Sequence, residues 1–152
     1  MKQVDFYLIS NQVSDAKLKL ASRLTNKLQR LEQRTLIVTN DAPETNELDA
    51  LMWSFSDTSF VTHETLRSSN EANSSGHCTA QIGDHSLVST EVLEQDFDVL
   101  INVSDQIPVF NHHFERIAEI VEPNENAKAG ARTRFKQYKN EGFELKTHNI
   151  EL

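Results

Sequence analysis

Short apolar runs separated by one amphipathic stretch constrain this chain most. Val4 to Ile9 carries the near-continuous run Phe6-Tyr7-Leu8-Ile9, and Thr35 to Thr39 is centred on Leu36-Ile37-Val38. Runs of this kind suit strands buried on both faces of a parallel sheet. Between them, Ala16 to Leu31 places Leu20, Leu24, Leu28 and Leu31 on one helical face, with Ser14 as the expected N-cap. Strand, helix and strand in about 40 residues form a βαβ unit with a right-handed crossover.

The alternation continues. A second helix is expected over Glu44 to Phe55, with Leu48, Leu51, Met52 and Phe55 as its core stripe. Trp53 falls roughly 140° from Leu48 and points away from that stripe. Ser59 to Thr62, Asp98 to Val103 and Arg116 to Val121 read as strands, with a further strand near Thr79 to Ile82 in the otherwise loop-like stretch Arg67 to Ser86. Phe110 to Phe114 should be helical, and Ala127 to Asn140 forms a last helix stopped by Gly142. The pattern predicts a single-domain, three-layer α/β sandwich over residues 1–152, with a mostly parallel sheet.

Composition removes several function classes. The 152 residues carry 15 basic and 23 acidic side chains, a net charge of −8, which disfavours gripping duplex DNA through the whole surface. The one cysteine, Cys78, cannot form an internal disulfide and fits a reducing compartment. Asp5 stands where the apolar stretch of a signal peptide would begin, and no apolar run approaches the roughly 18 residues that span a bilayer. The expectation is a cytoplasmic protein without a membrane partner.

The catalytic search finds nothing. Neither G-x-x-x-x-G-K-[ST] nor G-x-G-x-x-G occurs, and the turn Ser10-Asn11-Gln12-Val13-Ser14 after the first strand has no glycine. His77, Cys78 and His85 lack the second thiol and the spacing of a zinc site. His112 and His113 are consecutive and diverge by about 100° on a helix. No cofactor, metal or catalytic residue is expected, and a degenerate nucleotide-binding enzyme is the rival reading.

The last helix stands apart. Residues 127–146 hold Lys128, Arg132, Arg134, Lys136, Lys139 and Lys146 against Glu141 and Glu144, a local +4 that leaves −12 on the remainder. Lys128, Arg132, Phe135 and Lys139 fall within roughly a 60° sector, with Lys136 beside it and Ala127, Ala131 and Tyr138 along the apolar edge. This is either a solvated amphipathic face or a small basic pocket with an aromatic floor, suited to an acidic peptide with an apolar end.

Ala131-Arg132-Thr133-Arg134-Phe135-Lys136-Gln137-Tyr138-Lys139 with Gly142-Phe143 resembles the C-terminal signature of the chi subunit of bacterial DNA polymerase III. Phe6-Tyr7-Leu8, Leu48-Asp49-Ala50-Leu51-Met52-Trp53 with Ser59-Phe60-Val61-Thr62-His63, and Asp98-Val99-Leu100-Ile101 agree in order and spacing. The resemblance implies a Rossmann-like fold without a phosphate-binding loop, in a non-catalytic accessory part of the clamp-loader assembly. It implies two partners, the psi subunit and the acidic C-terminal tail of single-stranded DNA-binding protein (SSB), with DNA reached mainly through SSB. Carried over, the tail site is Lys128, Arg132, Phe135 and Lys136, with Lys139 beside them, and the psi surface is Trp53 and Phe60. A repair helicase is an alternative partner for that aromatic surface. The family often has tyrosine where this chain has Phe135, which removes a hydroxyl from the site.

Overall fold

The computed structural model describes residues 2–54, 63–66 and 80–152. Seven strands among them form one sheet: β1 (Gln3–Ile9), β2 (Thr35–Thr39), β3 (His63–Thr65), β4 (Ala80–Asp84), β5 (Val99–Asn102), β6 (Arg116–Val121) and β7 (Glu144–Ile150). Their order is β3-β4-β2-β5-β6-β1-β7, and every pairing is parallel. The helices are α1 (Ala16–Arg30), α2 (Ala42–Ser54), the single turn α3 (Thr90–Leu93) and α4 (Glu125–Asn140).

Strand parity decides which residue meets which layer. Ile37, Ile101 and Ile120 face α1 and α2, packing with Leu20, Leu28, Leu48 and Met52. Leu36, Leu100, Ile117 and Phe6 face the other way, with Phe110, Phe114, Ala131 and Tyr138. All of β2 is buried, as a central parallel strand requires. The three-layer α/β sandwich is therefore as expected, with a sheet that is wholly rather than mostly parallel.

Several local expectations are corrected. Asp15, not Ser14, occupies the N-cap of α1; its backbone is left-handed (φ 54°) and its side chain makes no capping bond. Leu31 is 58% exposed because the helix has already ended at Arg30 and the C-cap turns it outward. Phe110 to Phe114 is one 3₁₀ turn over Asn111–His113 rather than a helix. The strands β3 and β7 and the turn α3 were not anticipated. The expected strand Ser59 to Thr62 and the stripe residue Phe55 lie outside the described residues.

Candidate functional site

The helix α4 is well specified at both ends. The Asn124 side chain accepts from the Ala127 N–H at 2.8 Å, and Glu125 complements the dipole in the first turn. At the far end Gly142 takes φ +94° while the Phe143 N–H returns to the Tyr138 carbonyl at 3.1 Å, closing the last turn as a left-handed glycine allows.

The inner face of α4 is pinned by a buried polar cluster. Arg134 Nε donates to Glu119 Oε1 at 3.0 Å, and Tyr138 Oη and Asn102 Nδ2 each donate to Glu119 Oε2 at 2.7 Å. Three donors on two oxygens are what an ionised carboxylate needs once water is excluded. Burial nevertheless pushes the Glu119 carboxyl above its ordinary range, against the pull of the Arg134 charge and the donated bonds. Burial, and then the adjacent Glu119 charge, also push the Tyr138 phenol upward. Arg134, one of the six cations of residues 127–146, thus sits under the helix, one turn from Tyr138 on the buried side.

The opposite edge of α4 borders an open cavity of about 430 Å³. Phe6 and Leu8 of β1, Val121 of β6 and Thr147 of β7 form its sheet side; Ala131 and Phe135 form its helical wall; Lys128, Arg132 and Lys136 complete the lining. The register explains the grouping, since Leu8 pairs with Val121 and Phe6 with Thr147. Phe135 packs over Phe6 with ring centroids 5.5 Å apart, and Tyr138 meets Phe6 edge-on at 6.2 Å. The lining holds three cations and no carboxylate. Chemically, such a site can take an anion joined to an apolar group: the floor removes the apolar part from water, and the rim meets the charge.

Four of the sequence-expected residues, Lys128, Arg132, Phe135 and Lys136, therefore meet around one cavity. Lys139 is exposed one turn further along and does not line it. Phe6, Leu8, Val121 and Thr147 were missed as site residues. The shared parity of Phe6 and Leu8 was a usable signal, but their opening to the surface depends on β7. Trp53 is 60% exposed on α2, across the sheet from the cavity, with its ring 4.9 Å from that of His63. Phe60 lies outside the described residues.

The described groups behind the enzymatic alternatives are engaged within the chain. The turn after β1, where a phosphate loop would stand, spends its polar groups on the chain itself. Ser10 N donates to Ile150 O at 2.8 Å, and Asn11 exchanges bonds with the Leu152 backbone at 2.6 and 2.9 Å. Among the described residues no group of three or more His, Cys, Asp or Glu side chains could hold a metal ion. His85, half-buried, shares a 2.7 Å hydrogen bond with Ser104 Oγ, and burial lowers its pKa. His112 meets Glu141 at 3.1 Å. His77 and Cys78 fall outside the described residues. Among the described residues no helix is long and apolar enough to cross a membrane.

Fold and cavity together define a class: a parallel α/β sandwich whose sequence has no glycine-rich phosphate loop and which carries a basic, apolar-floored cavity beside one helix. The family model described as DNA polymerase III chi subunit, HolC, matches residues 1–146, and the chain belongs to that family. It is 29% identical over 150 residues to DNA polymerase III subunit chi of Pseudomonas aeruginosa, covering 99% of this chain and 98% of that one. It is 27% identical over 157 residues to the subunit of the same name in Haemophilus influenzae, with 98% of each covered. Among solved structures, T4 UvsW shares the fold with a TM-score of 0.67 at 9% identity, over 99% of this chain and 41% of that one. Family membership places the chain among the accessory components of the replicative DNA polymerase III.

Proposed function

We propose that the chain is a non-catalytic, cytoplasmic single-domain subunit that links the clamp loader, through psi, to the C-terminal tail of SSB. The observation that carries this reading is the α4 cavity, whose apolar floor and carboxylate-free basic lining match an acidic peptide ending in an apolar residue with a free carboxylate. Arg132 takes the terminal carboxylate, the Phe6–Phe135 floor takes the terminal side chain, and Lys128, Lys136 and Lys139 attract the acidic residues upstream. Trp53 and Phe60 serve psi. Trp53 lies on the layer opposite α4, so one molecule has room for both partners. Each contact is weak, but the tail is repeated within an SSB assembly, and tethering raises local concentration without new chemistry.

Calorimetry with a synthetic acidic tail peptide tests the proposal. The peptide with a free C-terminal carboxylate should bind wild type, its amidated form should bind much more weakly, and Trp53→Ala should leave both unchanged. Equal affinity for the two peptides would remove the carboxylate-anchoring role and the reading with it. Trp53→Ala should separately weaken psi by on the order of 2 kcal/mol.

A further inference from the structure

The seam between α1 and α2, across the sheet from the α4 cavity, holds a second open trough of about 440 Å³. Leu18, Ala50 and Leu51 give it an apolar floor, and Asp15, Glu47 and Ser54 stand along it. Its charge is one-sided: α2 contains Glu44, Glu47 and Asp49 and no lysine or arginine. Lys17 neutralises Glu44 at 3.1 Å, and His63 faces Asp49 at 3.0 Å. Glu47 and the Asp15 carboxylate have no ion-pair or hydrogen-bond partner among the described residues. An aspartate at an N-cap ordinarily spends its carboxylate on the first helical N–H groups. Asp15 holds the position in a left-handed conformation and caps nothing, so its charge stays available at the trough.

We infer that this trough docks a basic amphipathic helix of a partner protein. The apolar residues of that helix rest on Leu18, Ala50 and Leu51, while its lysines or arginines meet Asp15 and Glu47. Charge complementarity selects this occupant: a neutral or acidic segment would bury apolar surface beside two uncompensated carboxylates, whereas a cationic one pairs with both. The trough is separate from the aromatic surface, because Trp53 projects about 110° around α2 from the centre of the Glu47, Ala50, Leu51 and Ser54 edge.

The test is fluorescence anisotropy of a labelled, amidated Leu/Lys peptide of about 14 residues, roughly four helical turns. A companion peptide carries the same charge with serine in place of leucine. Wild type should bind the Leu/Lys peptide at least about tenfold more tightly than the Ser/Lys peptide. Asp15→Asn with Glu47→Gln should weaken binding about fivefold, and Ala50→Arg, which fills the trough with a cation, should abolish it. Glu91→Gln with Glu94→Gln, both exposed and remote from α2, should change nothing. Circular dichroism melts confirm that each variant is folded. Equal binding of the two peptides, or equal binding by wild type and the Asp15/Glu47 variant, would reduce the effect to general attraction toward an acidic protein and overturn the inference. Binding lost with Trp53→Ala but not with Ala50→Arg would move the site to the aromatic surface and overturn it equally.

Discussion

Arg134 Nε lies 3.0 Å from Glu119 Oε1, with the carboxylate wholly buried and the guanidinium nearly so. The pair joins the inside of α4 to β6, the strand next to β1. Because Arg134 is held from below, the residues two positions to either side of it, Arg132 and Lys136, are held outward over Phe6 and Leu8. A buried ion pair contributes little net stability of its own, but it fixes the rotation of a helix, since any other rotation strands a charge. Here that rotation places the cations at the edge of the cavity.

Glu119→Ala should accordingly destabilise the fold by about 3–5 kcal/mol, because it leaves Arg134 buried without its partner. Tyr138→Phe removes one of three donors and should cost about 1–2 kcal/mol. Urea titrations of the two variants give the comparison. A Glu119→Ala cost no larger than that of Tyr138→Phe would show that Arg134 escapes to solvent and does not fix the helix.

The His85 pair with Ser104 predicts a pH dependence with a definite sign. Burial lowers the folded-state pKa of His85, so between that value and the ordinary 6.5 the unfolded chain binds the proton more readily than the folded one. Stability contributed by neutral His85 is present above about pH 6.5 and declines as pH falls through the window below it. Thermal melts from pH 7.5 down to pH 5 should therefore lose Tm less steeply for His85→Gln than for wild type. Parallel profiles would place the titration elsewhere.

Two glycines should respond to alanine for different reasons. At Gly83 an added Cβ would sit 2.6 Å from Leu66 Cδ1, inside any real contact, so β4 or Leu66 must shift, at about 1–3 kcal/mol. At Gly142 a Cβ meets nothing within 4 Å, and the cost is that of φ +94° alone, about 1 kcal/mol. Differential scanning calorimetry should show both losses. Removing the Leu66 side-chain tip with Leu66→Ala should shrink the Gly83→Ala penalty and leave the Gly142→Ala penalty unchanged.

The elements legible in the sequence were those whose physics is local. Leu36-Ile37-Val38 and Val99-Leu100-Ile101 announce themselves because a central parallel strand is apolar on both faces, and α4 because its glycine stop, apolar edge and basic stripe agree. By contrast, β7 reads Glu-Leu-Lys-Thr-His-Asn-Ile, with Leu145 and Ile150 as its apolar members. An edge strand is covered on few sides, so its burial pattern comes from β1 and not from its own composition. The cavity was half legible for the same reason. Lys128, Arg132, Phe135 and Lys136 follow from one helix, whereas Leu8, Val121 and Thr147 meet only through the pairing of three strands. The local charge sum includes Arg134 but does not place it; its burial follows from Tyr138, one turn on, which faces the same side of the helix.

Arg132 should dominate recognition of the tail, and salt should separate its contribution from that of the lysines. A guanidinium meets a terminal carboxylate through two parallel N–H donors, a geometry that a lysine ammonium cannot match. On the proposed reading the carboxylate would arrive with its apolar side chain seated on Phe6 and Phe135, so that its contact with Arg132 would lie against apolar surface on one side. Lys128, Lys136 and Lys139 are exposed, and on the same reading they would meet the upstream acids at longer range. Arg132→Ala should therefore cost roughly 2 kcal/mol in tail affinity, and each lysine substitution about 0.5–1 kcal/mol. Raising salt from 0.1 to 1 M shortens the Debye length from about 10 to about 3 Å, which should erase most of the lysine differences while part of the Arg132 difference survives. Bare single-stranded oligonucleotide should bind weakly at about 0.15 M salt, given the −12 carried outside residues 127–146. Psi affinity should not change in any of these variants, because Trp53 belongs to the opposite layer. Calorimetry at the two salt concentrations decides the matter: an Arg132→Ala loss that vanishes at high salt along with the lysine losses would make Arg132 one more screened cation and leave the terminal carboxylate without an anchor.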